Sequence, residues 1–240
     1  MTDLTSMAHE IRLPKIKYCG LTRSIDVSAA IESGADAIGL NFYPPSPRYV
    51  SPETAKELSE IAASRALRVG VFVNASPFEV DAIMSICPLD CIQLHGDEPP
   101  EWIDEAQRLP RFEAITFIKA VAWRGREEDV EHVSKWTANP HPKLLGLLVD
   151  AFDPVQRGGT GKTARWDLLF PRHAAFRKSF VLLAGGLNLE NISAAMDTAK
   201  PDGVDLASGI ETQPGIKDHS KMQAIAVVAG ELLKNSEASR

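Results

Sequence analysis

Cysteine is scarce in this chain of 240 residues. Its three cysteines, Cys19, Cys87 and Cys91, are odd in number and too few for a disulfide framework, so we expect a reducing, cytoplasmic setting. Cys87 and Cys91 have C-x₃-C spacing, but no second pair of cysteine or histidine ligands lies nearby in the sequence. This pattern argues against a zinc site and predicts two structural thiols.

Long apolar runs and an excess of positive charge are also missing. No run approaches the roughly 18 residues of a membrane span. The polar N-terminus, MTDLTSMAHEIRLP, lacks the basic start and apolar stretch of a signal peptide. A formal net charge of −6, without a cluster of lysine or arginine, argues against binding to nucleic acid. We therefore predict neither a membrane nor a nucleic-acid partner.

One required glycine is absent from a segment that looks like a nucleotide-binding loop. Residues 158–163 read GGTGKT, and a P-loop has the pattern G-x-x-x-x-G-K-[ST]. The first glycine of that pattern is replaced by Gln156, whose side chain obstructs the tight turn around the phosphates. The segment therefore predicts no ATP or magnesium site.

Short apolar runs alternate with helical patterns along the chain. The runs are nearly continuous, as expected for parallel strands buried on both faces. Ser51 followed by Pro52 predicts the start of a helix, and Gly34 predicts the end of the first one. The segments with helical periodicity include 24–33, 52–63, 77–86, 166–175 and 191–200. The predicted strands are 15–19, 37–42, 68–73, 91–94, 116–121, 144–150, 180–184 and 203–207.

Repeated strand–helix units predict the fold class. Eight such units in roughly 220 residues predict an α/β fold, a single-domain (β/α)₈ TIM barrel, with a doubly wound open sheet as the alternative. We expect a flexible N-terminal extension over residues 1–13, the barrel over 14–235 and a C-terminal tail over 236–240. Catalytic residues of such barrels lie at the carboxyl ends of the strands, where this chain concentrates its polar residues and glycines.

Cys19 and Asp150 are the candidates for proton transfer. Cys19 ends the first strand, before Gly20, and is either a buried small hydrophobe or a reactive thiolate at the rim. Asp150 closes the apolar run LLGLLV and either caps the next turn or belongs to a site. Partial burial there would raise its pKa and suit it to proton donation near neutral pH.

Arg48 and His95 are the candidates for substrate contact. Arg48 lies in the proline-stiffened loop YPPSPRYVS, where a guanidinium is either solvated or bound to a planar carboxylate. His95 follows the fourth strand and is either a structural histidine or a substrate contact. The residue types leave both alternatives open.

Glycines after the last two strands indicate a phosphate site. LLAGGLNLENI contains Gly185 and Gly186, and GVDLASGIE contains Ser208 and Gly209. Barrels often bind phosphate in the loops after strands 7 and 8, through backbone N–H groups that glycine allows to approach closely. These segments therefore predict a phosphorylated small-molecule substrate.

A family resemblance covers nearly the whole chain. The segments that carry it are, in order, KYCGLT (17–22), YPPSPRYVS (43–51), VGVFVN (69–74), QLHGDEP (93–99), IKAV (118–121), LLVD (147–150), GGTGKT (158–163), LLAGGL (182–187), VDLASGIE (204–211) and PGIKDH (214–219). This ordered set resembles phosphoribosylanthranilate isomerase.

The resemblance implies a barrel enzyme of tryptophan biosynthesis that uses no cofactor or metal. It would convert N-(5-phosphoribosyl)anthranilate to 1-(o-carboxyphenylamino)-1-deoxyribulose 5-phosphate by an Amadori rearrangement, as a monomer or homodimer. Cys19 matches the general base and Asp150 the general acid. Arg48 matches the contact to the anthranilate carboxylate, and His95 and Asp205 match other pocket residues.

The resemblance also assigns the glycine-containing loops. Gly185, Gly186, Ser208 and Gly209 match the phosphate cradle. In a barrel, GGTGKT follows Asp150, and we predict that it is a mobile lid. Its phosphate-facing residues would be Gly159, Gly161 and Lys162.

Two positions depart from the family pattern, and other functions stay open. Tyr18 stands where an aliphatic residue is usual, and strand alternation predicts that it points away from Cys19 toward the helices. Ala207 replaces a polar residue near the phosphate. The alternatives are a catalytically silent barrel that serves as an assembly subunit, indole-3-glycerol-phosphate synthase, and the histidine-pathway aldose–ketose isomerase. Cys19 and Asp150 at the rim argue against all three.

Overall fold

The computed structural model describes residues 13–150, 166–169 and 173–238. Eight parallel strands pair in chain order and the eighth pairs with the first, so the sheet closes into a barrel. This confirms the predicted (β/α)₈ fold and excludes the open sheet. The strands are β1 (Ile16–Cys19), β2 (Ala37–Asn41), β3 (Leu67–Phe72), β4 (Cys91–Leu94), β5 (Thr116–Ala122), β6 (Leu144–Asp150), β7 (Phe180–Ala184) and β8 (Gly203–Leu206).

Helices surround the barrel, and those predicted over residues 24–33, 52–63, 77–86 and 191–200 begin and end within two residues of the predicted positions. The side chain of Ser51 accepts a hydrogen bond from the Thr54 N–H, and Pro52 is the first helical residue after it. Gly34 follows the first helix with a φ of 92°, a conformation that favours glycine. The helices are α1 (Ser24–Glu32), α2 (Pro52–Ala62), α3 (Pro77–Met84), α4 (Glu101–Ala106), α5 (Glu127–Thr137), α6 (Ile192–Ala199) and α7 (His219–Ala238).

The single helix predicted over residues 166–175 is wrong. Trp166–Leu169 and Ala174–Phe176 are short 3₁₀ helices, and His173 between them has a non-helical ψ of 145°. The apolar periodicity was misleading because residue 171 is a proline. A proline donates no backbone hydrogen bond and disfavours helical geometry in the residue before it.

Apolar side chains fill both faces of the barrel wall. Val69, Cys91, Leu148 and Leu182 belong to the cluster inside the barrel, whereas the larger cluster lies between the strands and the helices. Burial on both faces explains the continuous apolar runs of the sequence. Cys87 and Cys91 are buried and unpaired, as predicted for structural thiols. Within the described ranges, no helix is long and apolar enough to cross a membrane.

A small antiparallel hairpin follows β8 and was not predicted. It consists of β9 (Glu211–Gln213) and β10 (Ile216–Lys217), joined by a turn in which Gly215 has a φ of 82°. The Lys217 ammonium donates a hydrogen bond to the carbonyl oxygen of Cys19, 2.7 Å away. The hairpin therefore lies against the carboxyl end of β1.

Gly146→Ala is expected to destabilise the barrel. A Cβ at this position of β6 would overlap the carbonyl oxygen of Phe180 on the neighbouring strand. Overpacking of this kind costs about 1–3 kcal/mol, because rigid backbone must move. The matched control is Gly230→Ala in α7, where nothing lies within 4 Å of the added Cβ. Urea unfolding should show a loss for Gly146→Ala and a gain of about 0.5–1 kcal/mol for the control; equal stabilities would contradict this packing.

Candidate active site

Strand alternation places polar side chains at one end of the barrel. Cys19 is at the end of β1, Asp150 at the end of β6, and His95 directly follows β4. Asp205 lies on β8, where its register partner on β1 is Lys17. Because the strands of the barrel are parallel, their carboxyl ends meet at one rim, and these predicted residues lie at that rim.

Cys19 points into the barrel and Tyr18 points away from it. The Tyr18 hydroxyl donates a hydrogen bond to the carbonyl oxygen of Met222 in α7, 2.6 Å away, which confirms the predicted orientation toward the helices. Cys19 is 9% exposed, so its thiol reaches the mouth only at its edge. Burial raises the pKa of the Cys19 thiol, and the nearby ammonium groups of Lys17 and Lys217 oppose that rise without cancelling it.

A buried ion pair lies below the thiol. Lys17 is fully buried inside the barrel, and its ammonium lies 2.6 Å from a carboxylate oxygen of Asp205. Burial lowers the pKa of Lys17, but the negative charges of Asp205 and Cys19, together with hydrogen bonds to both, raise the pKa overall. Lys17 therefore carries a permanent positive charge, which the sequence pattern did not reveal.

Asp150 lies at the same rim as Cys19, three strands away around the barrel. It is half-buried, and in register it pairs with Ala122 on one side and Ala184 on the other. β6 is separated from β1 by β7 and β8 in the closed order. A small molecule in the mouth would therefore lie between the carboxyl group and the thiol.

His95 projects into the open mouth. Its side chain is exposed, and Gln93 places an amide nitrogen 2.6 Å from its Nδ1. The surrounding protein disfavours the charged ring and lowers the pKa of His95, although Asp205 partly opposes this effect. The ring is therefore neutral at neutral pH, and because Nδ1 accepts from the Gln93 amide, Nε2 carries the hydrogen and donates.

Arg48 is held by a carboxylate that the sequence analysis did not single out. Its Nε and Nη2 donate to the two oxygens of Glu211 at 2.8 and 2.7 Å. These hydrogen bonds raise the pKa of Arg48, so the guanidinium stays charged. Nε and Nη2 are both bound to Glu211, and within the described residues no hydrogen bond involves Nη1. A ligand can therefore bind at the Nη1 edge.

Glu211 and Lys217 connect three parts of the rim. Lys217 donates to Glu211 at 2.8 Å and to the carbonyl oxygens of Cys19 and Ala207 at 2.7 and 3.1 Å. Burial would raise the pKa of Glu211, but hydrogen bonds from Arg48 and Lys217 lower it overall. Glu211 is the last residue of the segment GIE, and Lys217 lies in PGIKD. A charged residue next to apolar ones was the sequence signal for both, and the sequence analysis did not use it.

The residues predicted to bind phosphate come together after β7 and β8, which are neighbours in the sheet. Gly185 and Gly186 have φ values of 94° and 67°, which favour glycine. Ser208 begins a short 3₁₀ helix, and a Cβ at Gly209 would overlap the carbonyl oxygen of Leu187. The two loops are therefore in backbone contact, and their binding of phosphate stays a prediction.

Part of the predicted site lies outside the described residues. This applies to Gly159, Gly161 and Lys162 and to the proposed lid. In the ranges that the structure does describe, no group of three or more histidine, cysteine or acidic side chains is arranged to hold a metal ion.

Comparison with known proteins gives a consistent result. The family described as N-(5'-phosphoribosyl)anthranilate (PRA) isomerase matches residues 16–227. The N-(5'-phosphoribosyl)anthranilate isomerase of Syntrophus aciditrophicus is 40% identical over 214 residues, which are 89% of this chain and 86% of that protein. The crystal structure of phosphoribosyl anthranilate isomerase from Thermotoga maritima has a TM-score of 0.77 and 38% identity, and covers 91% of this chain and 100% of its own. A phosphoribosyl anthranilate isomerase in complex with reduced 1-(o-carboxyphenylamino)-1-deoxyribulose 5-phosphate has a TM-score of 0.74 and 36% identity, with the same coverage.

Proposed function

Because the chain belongs to the phosphoribosylanthranilate isomerase family, we propose that Cys19 and Asp150 are its general base and general acid. The activity is the isomerisation of N-(5-phosphoribosyl)anthranilate in tryptophan biosynthesis. One observation supports the residue assignment. Both residues end a strand at an inward-facing position, and they lie three strands apart at one rim of the barrel.

Asp150 acts first in the proposed mechanism. Its carboxyl group donates a proton to the furanose ring oxygen, the bond from that oxygen to C1 breaks, and a Schiff base forms. Partial burial supports this role, because a carboxyl group removed from water holds its proton more strongly. The pKa of Asp150 itself stays a prediction.

Cys19 acts second in the proposed mechanism, as the base. Its thiolate removes the proton from C2, and the electron pair of that bond moves toward the iminium nitrogen to give an enolamine. The enolamine then tautomerises to the ketone. The iminium makes the C2 proton acidic, so a thiolate is a strong enough base.

The remaining residues hold the substrate in this proposal. The Nη1 edge of Arg48 binds the anthranilate carboxylate, and His95 and Asp205 contact the sugar between the two catalytic groups. Backbone N–H groups bind the phosphate in the cradle formed by Gly185, Gly186, Ser208 and Gly209, with Gly159, Gly161 and Lys162 closing over it. We infer that the enzyme works without a cofactor, in the cytoplasm, as a monomer or homodimer.

The turnover of the purified protein tests the function. N-(5-phosphoribosyl)anthranilate is generated in the cuvette, and the loss of its anthranilate-type fluorescence is followed with and without enzyme. We expect a rate proportional to enzyme concentration and a product identified as the carboxyphenylamino deoxyribulose phosphate by carbon-13 NMR, through its ketone carbon, because substrate and product have the same mass. A rate equal to that of the buffer alone would contradict the function.

Arg48→Met is expected to weaken binding of the carboxylate by about tenfold to 100-fold, because a charged hydrogen bond is lost. The ligand is reduced 1-(o-carboxyphenylamino)-1-deoxyribulose 5-phosphate, compared by calorimetry with the analogue made from aniline. The analogue has no carboxylate, so its affinity should change little.

The control for Arg48→Met is Arg111→Met. Arg111 is half-exposed and forms an ion pair with Asp81 instead. This control should bind both ligands as the parent does. Equal losses for both ligands in Arg48→Met would place the carboxylate elsewhere.

A further inference from the structure

Burial alone makes Cys19 a poor base at neutral pH. The thiol is 9% exposed, and removal from water favours its neutral form and raises its pKa. The role proposed above requires the thiolate. Some feature of the fold must therefore stabilise the negative charge.

Four charged side chains surround the thiol from the packed elements. Lys17 is on β1 itself, Asp205 on β8, Lys217 on β10 and Arg48 in the loop after β2. Arg48 and Lys217 both bind Glu211, which offsets part of their charge. Of the two lysines, Lys17 has the larger effect on the thiol.

Lys17 and the thiol border the same point inside the barrel. A Cβ added at Gly39 of β2 would lie 2.7 Å from the sulfur of Cys19 and 3.1 Å from the Lys17 nitrogen. Both side chains face inward from alternate positions of β1. Since Lys17 is fully buried, little water screens its charge from the sulfur.

Asp205 fixes the ammonium and limits its effect. It lies 2.6 Å from the Lys17 nitrogen and is 8% exposed. Its negative charge keeps Lys17 protonated, so Lys17 is a fixed charge rather than a proton carrier. The same negative charge disfavours the thiolate, but its effect on the thiol is smaller than that of Lys17.

We propose that the buried Lys17–Asp205 pair controls the protonation of Cys19, with Lys17 stabilising the thiolate and Asp205 holding Lys17 in place. Lys17 is thus a positioning residue that acts through Cys19 and does not touch the substrate. The proposal deepens the role of Cys19 as general base and rests on it for its catalytic meaning.

Alkylation of Cys19 without substrate tests the proposal independently of the reaction. The protein is treated with iodoacetamide over a pH series from about 6 to 11, the reaction is quenched with acid, and the Cys19 peptide is quantified by mass spectrometry. For Lys17→Met we expect the midpoint to rise by at least about one pH unit, with about tenfold slower alkylation near neutral pH. For Asp205→Asn we expect the midpoint to fall.

Opposite shifts separate this role from a structural one. A variant that merely loosens the barrel admits water, which would lower the midpoint in both cases. The double variant Lys17→Met/Asp205→Asn replaces the pair by neutral side chains of similar size and should fold even if Lys17→Met does not. Its midpoint should lie above that of the parent and below that of Lys17→Met.

Lys119→Met is the matched control. Lys119 is also fully buried and paired with a carboxylate, Glu98 at 2.7 Å, but it lies on β5. Its removal should leave the Cys19 midpoint unchanged. An unchanged or lower midpoint in both Lys17→Met and the double variant would overturn the proposal. If the midpoints follow the expected order while Cys19→Ser keeps full activity, the proposal stands and the catalytic assignment of Cys19 fails.

Discussion

Replacing Asp150 by asparagine is expected to lower kcat/KM by about 10²–10⁴-fold, the usual contribution of a general acid. The amide has nearly the same shape as the carboxyl group but has no acidic proton for the ring oxygen. Because the packing at the end of β6 is retained, the affinity for the reduced product analogue should stay close to that of the parent. The fluorescence assay measures the first quantity and calorimetry the second.

The control for this variant is Asp104→Asn. Asp104 lies on α4 and its side chain is 66% exposed, away from the strand ends. Its replacement should leave both measurements unchanged. If Asp150→Asn retained the parental rate, the general acid would have to be another group. If its ligand affinity fell as much as its rate, Asp150 would be a binding residue.

Cys19→Ser is the second variant with a large expected effect. A serine hydroxyl is far less acidic than a thiol, so the Lys17 ammonium cannot maintain it as an anion at neutral pH. The proton on C2 then has no base, and we expect kcat/KM to fall by about 10²–10⁴-fold. The substitution changes one atom, and ligand affinity should again be retained.

Cys87→Ser provides the matched control for the thiol. Cys87 is fully buried outside the site, and its sulfur lies 3.8 Å from the carbonyl oxygen of Pro88, to which a hydroxyl can also donate. This variant should keep the parental kcat/KM per folded molecule. Full activity in Cys19→Ser would show that the thiol is not the base.

The strand positions were predictable because the barrel wall is buried on both faces. β4 (Cys91–Leu94) and β6 (Leu144–Asp150) coincide with predicted strands, since short, nearly continuous apolar runs are typical of parallel strands that are buried on both faces. Local rules also held at Ser51, whose side chain caps α2 by accepting a hydrogen bond from the Thr54 N–H. The helix over residues 166–175 was wrong because periodicity was considered without the proline at 171.

The candidate site was only partly predictable. Cys19 and Asp150 were identified because strand ends in a barrel share one rim, which follows from the order of the strands. The partner of Arg48 was not predicted, because Glu211 lies 163 positions away along the chain. The buried pair of Lys17 and Asp205, 188 positions apart, was missed for the same reason.

The sequence by itself determined the barrel, the family and the set of groups at the rim. Hydrophobic pattern and the order of the motifs can both be read along the chain without knowledge of which residues meet in space. Tertiary structure alone decided which charge faces which. Closure of β8 against β1 brings Asp205 beside Lys17, and the hairpin after β8 brings Glu211 and Lys217 to the mouth. The physical reason is that electrostatic energy depends on distance and burial, and neither is fixed until the chain has closed on itself.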